Sequence, residues 1–405
     1  MRFKIDLWLK ISLINLFLVA LLGALMRYKI GFDFPFFVQK HLLHSHSHFA
    51  FSGWISHTLM VLMIYFLKNK SIKFSQSKYS NLIIANLVCS YGMLVFFIIQ
   101  GYAFWSILFS TLSIFVSYIF AYVFYKDLNK ISFGLSKKWF QGALLFYILS
   151  SIGTFFLAYT LASGNFLYKP YLSSIYFYLH FQYNGWFLFA CIGLLLNFIQ
   201  PKAFYNKPLT IAFWLLFIST IITYLLSVLW LDLPQWLYFM AVLFSVIQFL
   251  VWIGMLVIFR KENKLLKAQP LFLWRILKLT AFCLTLKFIF QLLSVIPSLN
   301  QFVFGIRTII IAYLHLVLLA IITPFLLYYI YANKLLPLNK SIKNGIILFY
   351  IGIFMNELVL GIQGMSAFGY ILVPKINVVL FGVAFLLMIS IGWVAFQTLR
   401  NRDLK

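Results

Sequence analysis

Runs of about 20 apolar residues, the length a bilayer core requires, alternate along this chain with short polar stretches. About twelve such runs are legible, near 8–26, 41–67, 81–101, 103–125, 140–162, 173–199, 208–230, 236–259, 271–293, 307–332, 343–365 and 375–398. Each predicts a membrane-spanning helix. No connecting stretch is long enough for a soluble domain, so residues 1–405 read as a single polytopic transmembrane domain of all-α class. The second run departs from the others: Lys40–Leu67, KHLLHSHSHFAFSGWISHTLMVLMIYFL, carries five of the seven histidines and runs into an unbroken apolar helix.

Composition excludes a soluble protein. Of 405 residues 64% are hydrophobic and 10% charged, with a mean hydropathy of +0.98, and a soluble surface built from them would be one apolar patch. The 48 phenylalanines and 20% aromatic content suit lipid-facing helices with Trp and Tyr at the interfaces.

A net charge of +25 invites nucleic acid, but its distribution argues against that partner. Lys and Arg fall almost wholly in the short segments between helices, where they orient a membrane protein and meet anionic headgroups. One set of alternate loops holds Lys68, Lys70, Lys73 and Lys78, then Lys126, Lys130, Lys137 and Lys138, then Lys202 and Lys207. It continues through Arg260, Lys261, Lys264 and Lys267, then Lys334, Lys340 and Lys343, and ends at Arg400, Arg402 and Lys405. The opposite set is sparse, with Arg27, Lys29, Lys40, Lys169, Arg307, Lys375 and Asp232. The positive-inside rule then makes both termini cytoplasmic and the chain a multi-pass protein of the cell's inner membrane. Lys and Arg also precede the first apolar run, but no small-residue cleavage site follows, so that run reads as a spanning helix. Cys89, Cys191 and Cys283 stand singly in apolar runs, as small buried residues rather than disulfides or metal ligands.

Orientation gives three histidines a depth. His48 follows Lys40 by eight residues, His315 follows Arg307 by eight and His180 follows Lys169 by eleven. At about 1.5 Å of rise per residue, all three lie roughly 12–16 Å inward of their cations, in the outer half of the membrane. An isolated intramembrane histidine is commonly a packing residue. Two at matched depth on different helices suit the axial positions of a six-coordinate haem. In the second run His41, His44 and His48 share one helical face, with His46 and His57 opposite. His48 is the deepest of its face. The HSHSH run is also compatible with a surface Cu or Zn site, although no carboxylate or cysteine accompanies it.

The stretch LHSHSHFAFSGWISHTLMVLMIYFL resembles the second helix of subunit I in the haem–copper oxidase superfamily, particularly its nitric-oxide-reductase-like branch. That resemblance implies a low-spin haem b ligand at His48, by its spacing to Tyr65-Phe66. IRTIIIAYLHLVLLAIITPFLLYYIY resembles the family's tenth helix, and Tyr313-Leu314-His315 stands where a His-x-His is expected. The low-spin ligand is thus implied at His315, with Tyr313 in the high-spin position. YLHFQYNGWFLFACIGLLL places His180 where an active-site copper ligand is expected, whereas TIITYLLSVLWLDLPQW lacks the family's His-His pair. The resemblance therefore implies one bis-His low-spin haem b, no copper, His180 lining a vacated pocket, and no oxygen-reducing binuclear centre. Lys40, Lys169 and Arg307 are the cations available for haem propionates, or are ordinary interfacial anchors. The implied roles are electron transfer in a respiratory chain, between quinol or cytochrome c and a partner membrane subunit, or haem-linked sensing.

Two more buried charges, Lys287 and Glu357, need partners, and a mutual pair would let both tolerate the bilayer. As a coupling site, with Asn356, Gln291 and Gln363, they would instead suit a transporter, although no inverted repeat is evident. A divergent oxygen or nitric oxide reductase is a further reading. So is the twelve-helix haem- and copper-binding nitric-oxide-response family, although its acidic residue after the histidine is absent from this chain. No phosphate loop, carboxylate dyad or nucleophile motif appears.

Overall fold

A computed structural model describes residues 3–132, 134–163, 167–262, 264–300 and 306–401. Among them, twelve helices are long and apolar enough to cross a membrane. They are α1 (Ile5–Gly31), α2 (Gln39–Asn69), α3 (Gln76–Gln100), α4 (Phe104–Leu128), α5 (Leu135–Ala162) and α6 (Tyr168–Ile199). Then follow α7 (Ala203–Val228), α8 (Gln235–Lys261), α9 (Leu271–Leu293), α10 (Arg307–Ala332), α11 (Lys340–Ala367) and α12 (Ile376–Arg400). The chain is a multi-pass, all-α membrane protein. Helices α5, α6 and α7 begin at 135, 168 and 203 rather than at the predicted 140, 173 and 208. Hydropathy marks the bilayer core, whereas backbone hydrogen bonding continues through polar turns such as LSKKW into the headgroup layer. Ser75 and Asn339 close the N-termini of α3 and α11 by accepting from the amides of Lys78 and Ile342.

Two compact units make up the chain. The first comprises residues up to Phe124 and from Leu326 onward, the second Tyr125–Phe325. In the first, α1 packs on α2 and α12, α12 on α11, and α2 on α3. In the second, α5 packs on α6 and α7, α7 on α8, α8 on α9, and α9 on α10. Each unit surrounds one helix: the core windows of α2 and α6 are 89% and 83% buried, against 22–50% for the other ten. These two also have the lowest hydropathies, 1.5 and 1.3. Lipid solvates apolar side chains, so the helices richest in polar groups gain most by turning inward. Outward positions carry large apolar side chains such as Ile99, Phe115, Phe239 and Leu250.

Helices α2, α6 and α10 share a departure from α-helical winding. Each contains a π-helical stretch, at Ala50–Ser56, Phe181–Phe187 and Leu318–Ile322. In α10 the cause is local: Pro324 has no N–H to offer the carbonyl of Ala320, four residues earlier. In α2 the neighbours take up the backbone groups. Buried Asn15 of α1 donates to the Gly53 carbonyl at 2.5 Å, and Asn86 of α3 donates to the Ser52 carbonyl at 3.3 Å. Asn15 also accepts from Tyr91 Oη at 2.7 Å. Replacing Asn15 with alanine strands both partners in a buried setting. The expected cost is about 1–3 kcal/mol, read as a lower unfolding midpoint in detergent, and an unchanged midpoint would show that the π stretch needs no support from α1.

Candidate functional site

The histidines of α2 separate by helical phase. On one face, His41 Nδ1 donates to the Ile98 carbonyl at 3.3 Å, and the His44 ring meets Tyr102 edge-on at 4.5 Å between centroids. On that same face His48 stacks on Phe97 at 4.4 Å and shares a 2.9 Å hydrogen bond between Nε2 and Tyr102 Oη. On the other face, His46 Nδ1 donates to the Val19 carbonyl at 3.0 Å and His57 Nε2 to the Trp8 carbonyl at 3.3 Å, both on α1. The HSHSH run is therefore divided between two neighbouring helices. Among the described residues no group of three or more His, Cys, Asp or Glu side chains is arranged to hold a metal ion.

The segments from cation to histidine are continuous α-helix in all three cases: Gln39–Phe49, Tyr168–His180 and Arg307–Val317. The rise of about 1.5 Å per residue therefore applies throughout, and the π winding starts only after the histidine. Lys40, Lys169 and Arg307 are exposed at the starts of their helices, and Lys169 meets Asp232 of the opposite-set loops at 3.4 Å.

Around His180 the second unit assembles a polar cluster. Nε2 donates to the Thr220 carbonyl of α7 at 2.7 Å, and Nδ1 accepts from Asn184 Nδ2 at 3.1 Å. Both ring nitrogens are occupied, which leaves no lone pair for a metal. One turn away, Tyr183 shares a side-chain hydrogen bond with Tyr313 of α10, the rings meeting edge-on at 6.1 Å. Tyr313 thus joins the α6 cluster through its hydroxyl. Lys287 of α9 is close enough to His180 for their charges to interact. It is 1% exposed, its Nζ has no hydrogen-bond partner among the described residues, and it lies 4.2 Å from the Phe288 ring centroid. Gln291 Oε1, one turn on, is buried and equally without a partner. Glu357 belongs to the first unit, where it accepts from Asn356 Nδ2 at 3.2 Å.

His315 is set differently from His180. Its Nδ1 donates to the Ile311 carbonyl at 2.8 Å, one turn back in its own helix. A carbonyl can only accept, so Nδ1 carries a proton. A backbone acceptor of this kind is what orients a metal-bound imidazole.

A repeat that hydropathy passes over links α2 and α6. His48-Phe49-Ala50-Phe51-Ser52-Gly53-Trp54 aligns with His180-Phe181-Gln182-Tyr183-Asn184-Gly185-Trp186. In both, histidine and phenylalanine stand at the start of the π stretch, and glycine lies five residues after the histidine within it. The glycines answer to packing, because a Cβ at 53 would lie 2.6 Å from the Phe49 ring and one at 185 would collide with Phe146. Both tryptophans are buried, and Trp186 stacks on Tyr147 at 4.4 Å. In α10, Ala320 takes the small position five after His315. Aligning the chain on its histidines is the signal that finds this.

The sequence matches no protein-family model and no curated protein.

His180→Ala removes two hydrogen bonds and strands Asn184, so a loss of about 1–3 kcal/mol in stability is expected. The copper content of the purified variant, by elemental analysis, should equal that of the unaltered protein. A drop would assign His180 to a metal despite its two bonds.

Proposed function

We propose that the chain binds one low-spin haem b between His48 and His315, and serves electron transfer or haem-linked sensing as a divergent relative of oxidase subunit I without a binuclear centre. The observation that carries this reading is the common build of α2 and α10: a histidine eight residues inside an outer cation, then π winding with a small residue five positions on. Irregular winding of this kind is frequent at functional sites. His315 Nδ1 donates to the Ile311 carbonyl, the kind of backbone acceptor that orients an axial imidazole. Haem, when bound, supplies the one-electron chemistry. The chain's part is to orient two imidazoles, to exclude water with the Phe97 ring against His48, and to present Lys40 and Arg307 to propionates. Quinol or cytochrome c and a partner membrane subunit are the proposed redox partners, and the inner membrane the proposed location.

His48 Nε2 would hold the iron only in place of its hydrogen bond with the Tyr102 hydroxyl, which competes for that nitrogen. Removing this hydroxyl with Tyr102→Phe should tighten haem binding by about 1 kcal/mol, roughly fivefold. The decisive measurement is a dithionite-reduced minus oxidised spectrum of the purified protein. A sharp b-type band is expected, lost in both His48→Ala and His315→Ala and kept in His180→Ala. A colourless protein after expression with ample haem would end this reading.

A transporter is favoured by one observation, the buried Lys287 Nζ that has no hydrogen-bond partner among the described residues. A purified protein without haem whose substrate uptake falls with Lys287→Met would support transport instead.

A further inference from the structure

Within the second unit, α6, α8, α9 and α10 enclose a cavity of about 730 Å³, and none of the residues assigned to haem lines it. Its walls are apolar, with Leu195, Leu256, Leu277, Leu284 and Ile322 among them. One end is basic: Arg260 at the end of α8, Lys267 in the following connection and Lys278 in α9 all line it. No carboxylate lines the cavity, and among the described residues none forms an ion pair with these three cations. Trp274 lies under Lys278, with Nζ 5.0 Å from its ring. The opposite end, at Trp252 and Leu284, lies eight residues from Arg260 and six from Lys278 along their helices, roughly 9–12 Å deeper.

We propose that this cavity is a binding site for an anionic phospholipid, its phosphate held by Arg260, Lys267 and Lys278 and one acyl chain laid along Leu256, Leu277, Leu284 and Ile322. Charge complementarity selects the occupant. Three cations without a carboxylate attract a phosphate, and the Arg guanidinium can hold it through two parallel hydrogen bonds. Apolar walls descending from that level match a hydrocarbon tail, as in basic pockets between membrane helices that hold lipid headgroups. Arg260 and Lys267 belong to the loop set richest in positive charge, the set assigned to the cytoplasmic leaflet where anionic lipids concentrate, and Lys278 lies seven residues into α9 from that end. A neutral isoprenoid quinone would leave the three cations without a counter-charge. The site is independent of the haem proposal.

The test is native mass spectrometry of the full chain, released from nanodiscs of phosphatidylcholine with increasing phosphatidylglycerol. One phosphatidylglycerol should be retained at least about tenfold more strongly than phosphatidylcholine, equivalent to about 1.4 kcal/mol. Arg260→Gln/Lys267→Gln/Lys278→Gln should abolish that preference. Lys126→Gln/Lys137→Gln/Lys138→Gln, which removes equal charge from another loop of the same set, should leave it intact. Ala281→Trp, which fills the cavity and keeps the cations, should also release the lipid. Equal retention of both lipids, an equal loss in the two triple variants, retention unaffected by Ala281→Trp, or a quinone in place of the phospholipid would each overturn the proposal. Should the cavity triple fail to fold, Ala281→Trp decides alone.

Discussion

A backbone carbonyl inside a bilayer must find its hydrogen bond within the protein, because lipid offers none. An unbroken α-helix meets that demand by itself, and nine of the twelve spans have no π winding among their described residues. In helices α2, α6 and α10 a π stretch interrupts the regular α-helical ladder. In α2 the remedy comes from outside, from Asn15 and Asn86 on the helices to either side. That dependence explains why α2 sits at the centre of its unit, where it reaches donors from two sides.

The same constraint sets the chemistry of the histidines. An imidazole in low dielectric needs its N–H satisfied, and the acceptor it finds decides which nitrogen keeps a lone pair. His180 satisfies both nitrogens through α7 and its own helix, and so becomes a packing centre of the second unit. His315 donates its Nδ1–H to the Ile311 carbonyl, one turn back in its own helix. His180 and His315, each ahead of a π stretch, thus differ in their hydrogen-bond partners. Lys287 shows what an unsatisfied group entails: a buried side-chain amine with no hydrogen-bond partner among the described residues is expensive to keep, which is why such residues invite functional readings.

The spans and the helical phases of α2 were legible in the sequence because both follow from periodicity and length, which are local. His41, His44 and His48 face α3, and His46 and His57 face α1, as a 3.6-residue repeat requires. The π winding was not legible from hydropathy, since Ala50–Ser56 and Phe181–Phe187 lie inside continuous spans whose hydropathy does not register how the backbone winds. The H-F-x-x-x-G-W repeat was present in the letters, but helical periodicity does not register a motif recurring after 132 positions, His48 to His180.

By itself the sequence determined a multi-pass helical membrane protein, the number of its spans, and the face of α2 on which each histidine falls. Only the tertiary structure decided that α2 and α6 are the buried centres of two units, that Asn15 and Asn86 complete a π stretch, and that His180 is saturated by Thr220 and Asn184. The reason is physical. Hydropathy and phase are properties of one helix, whereas the hydrogen-bond partner of a buried group is supplied mostly by another, and which helices become neighbours is settled only when they pack.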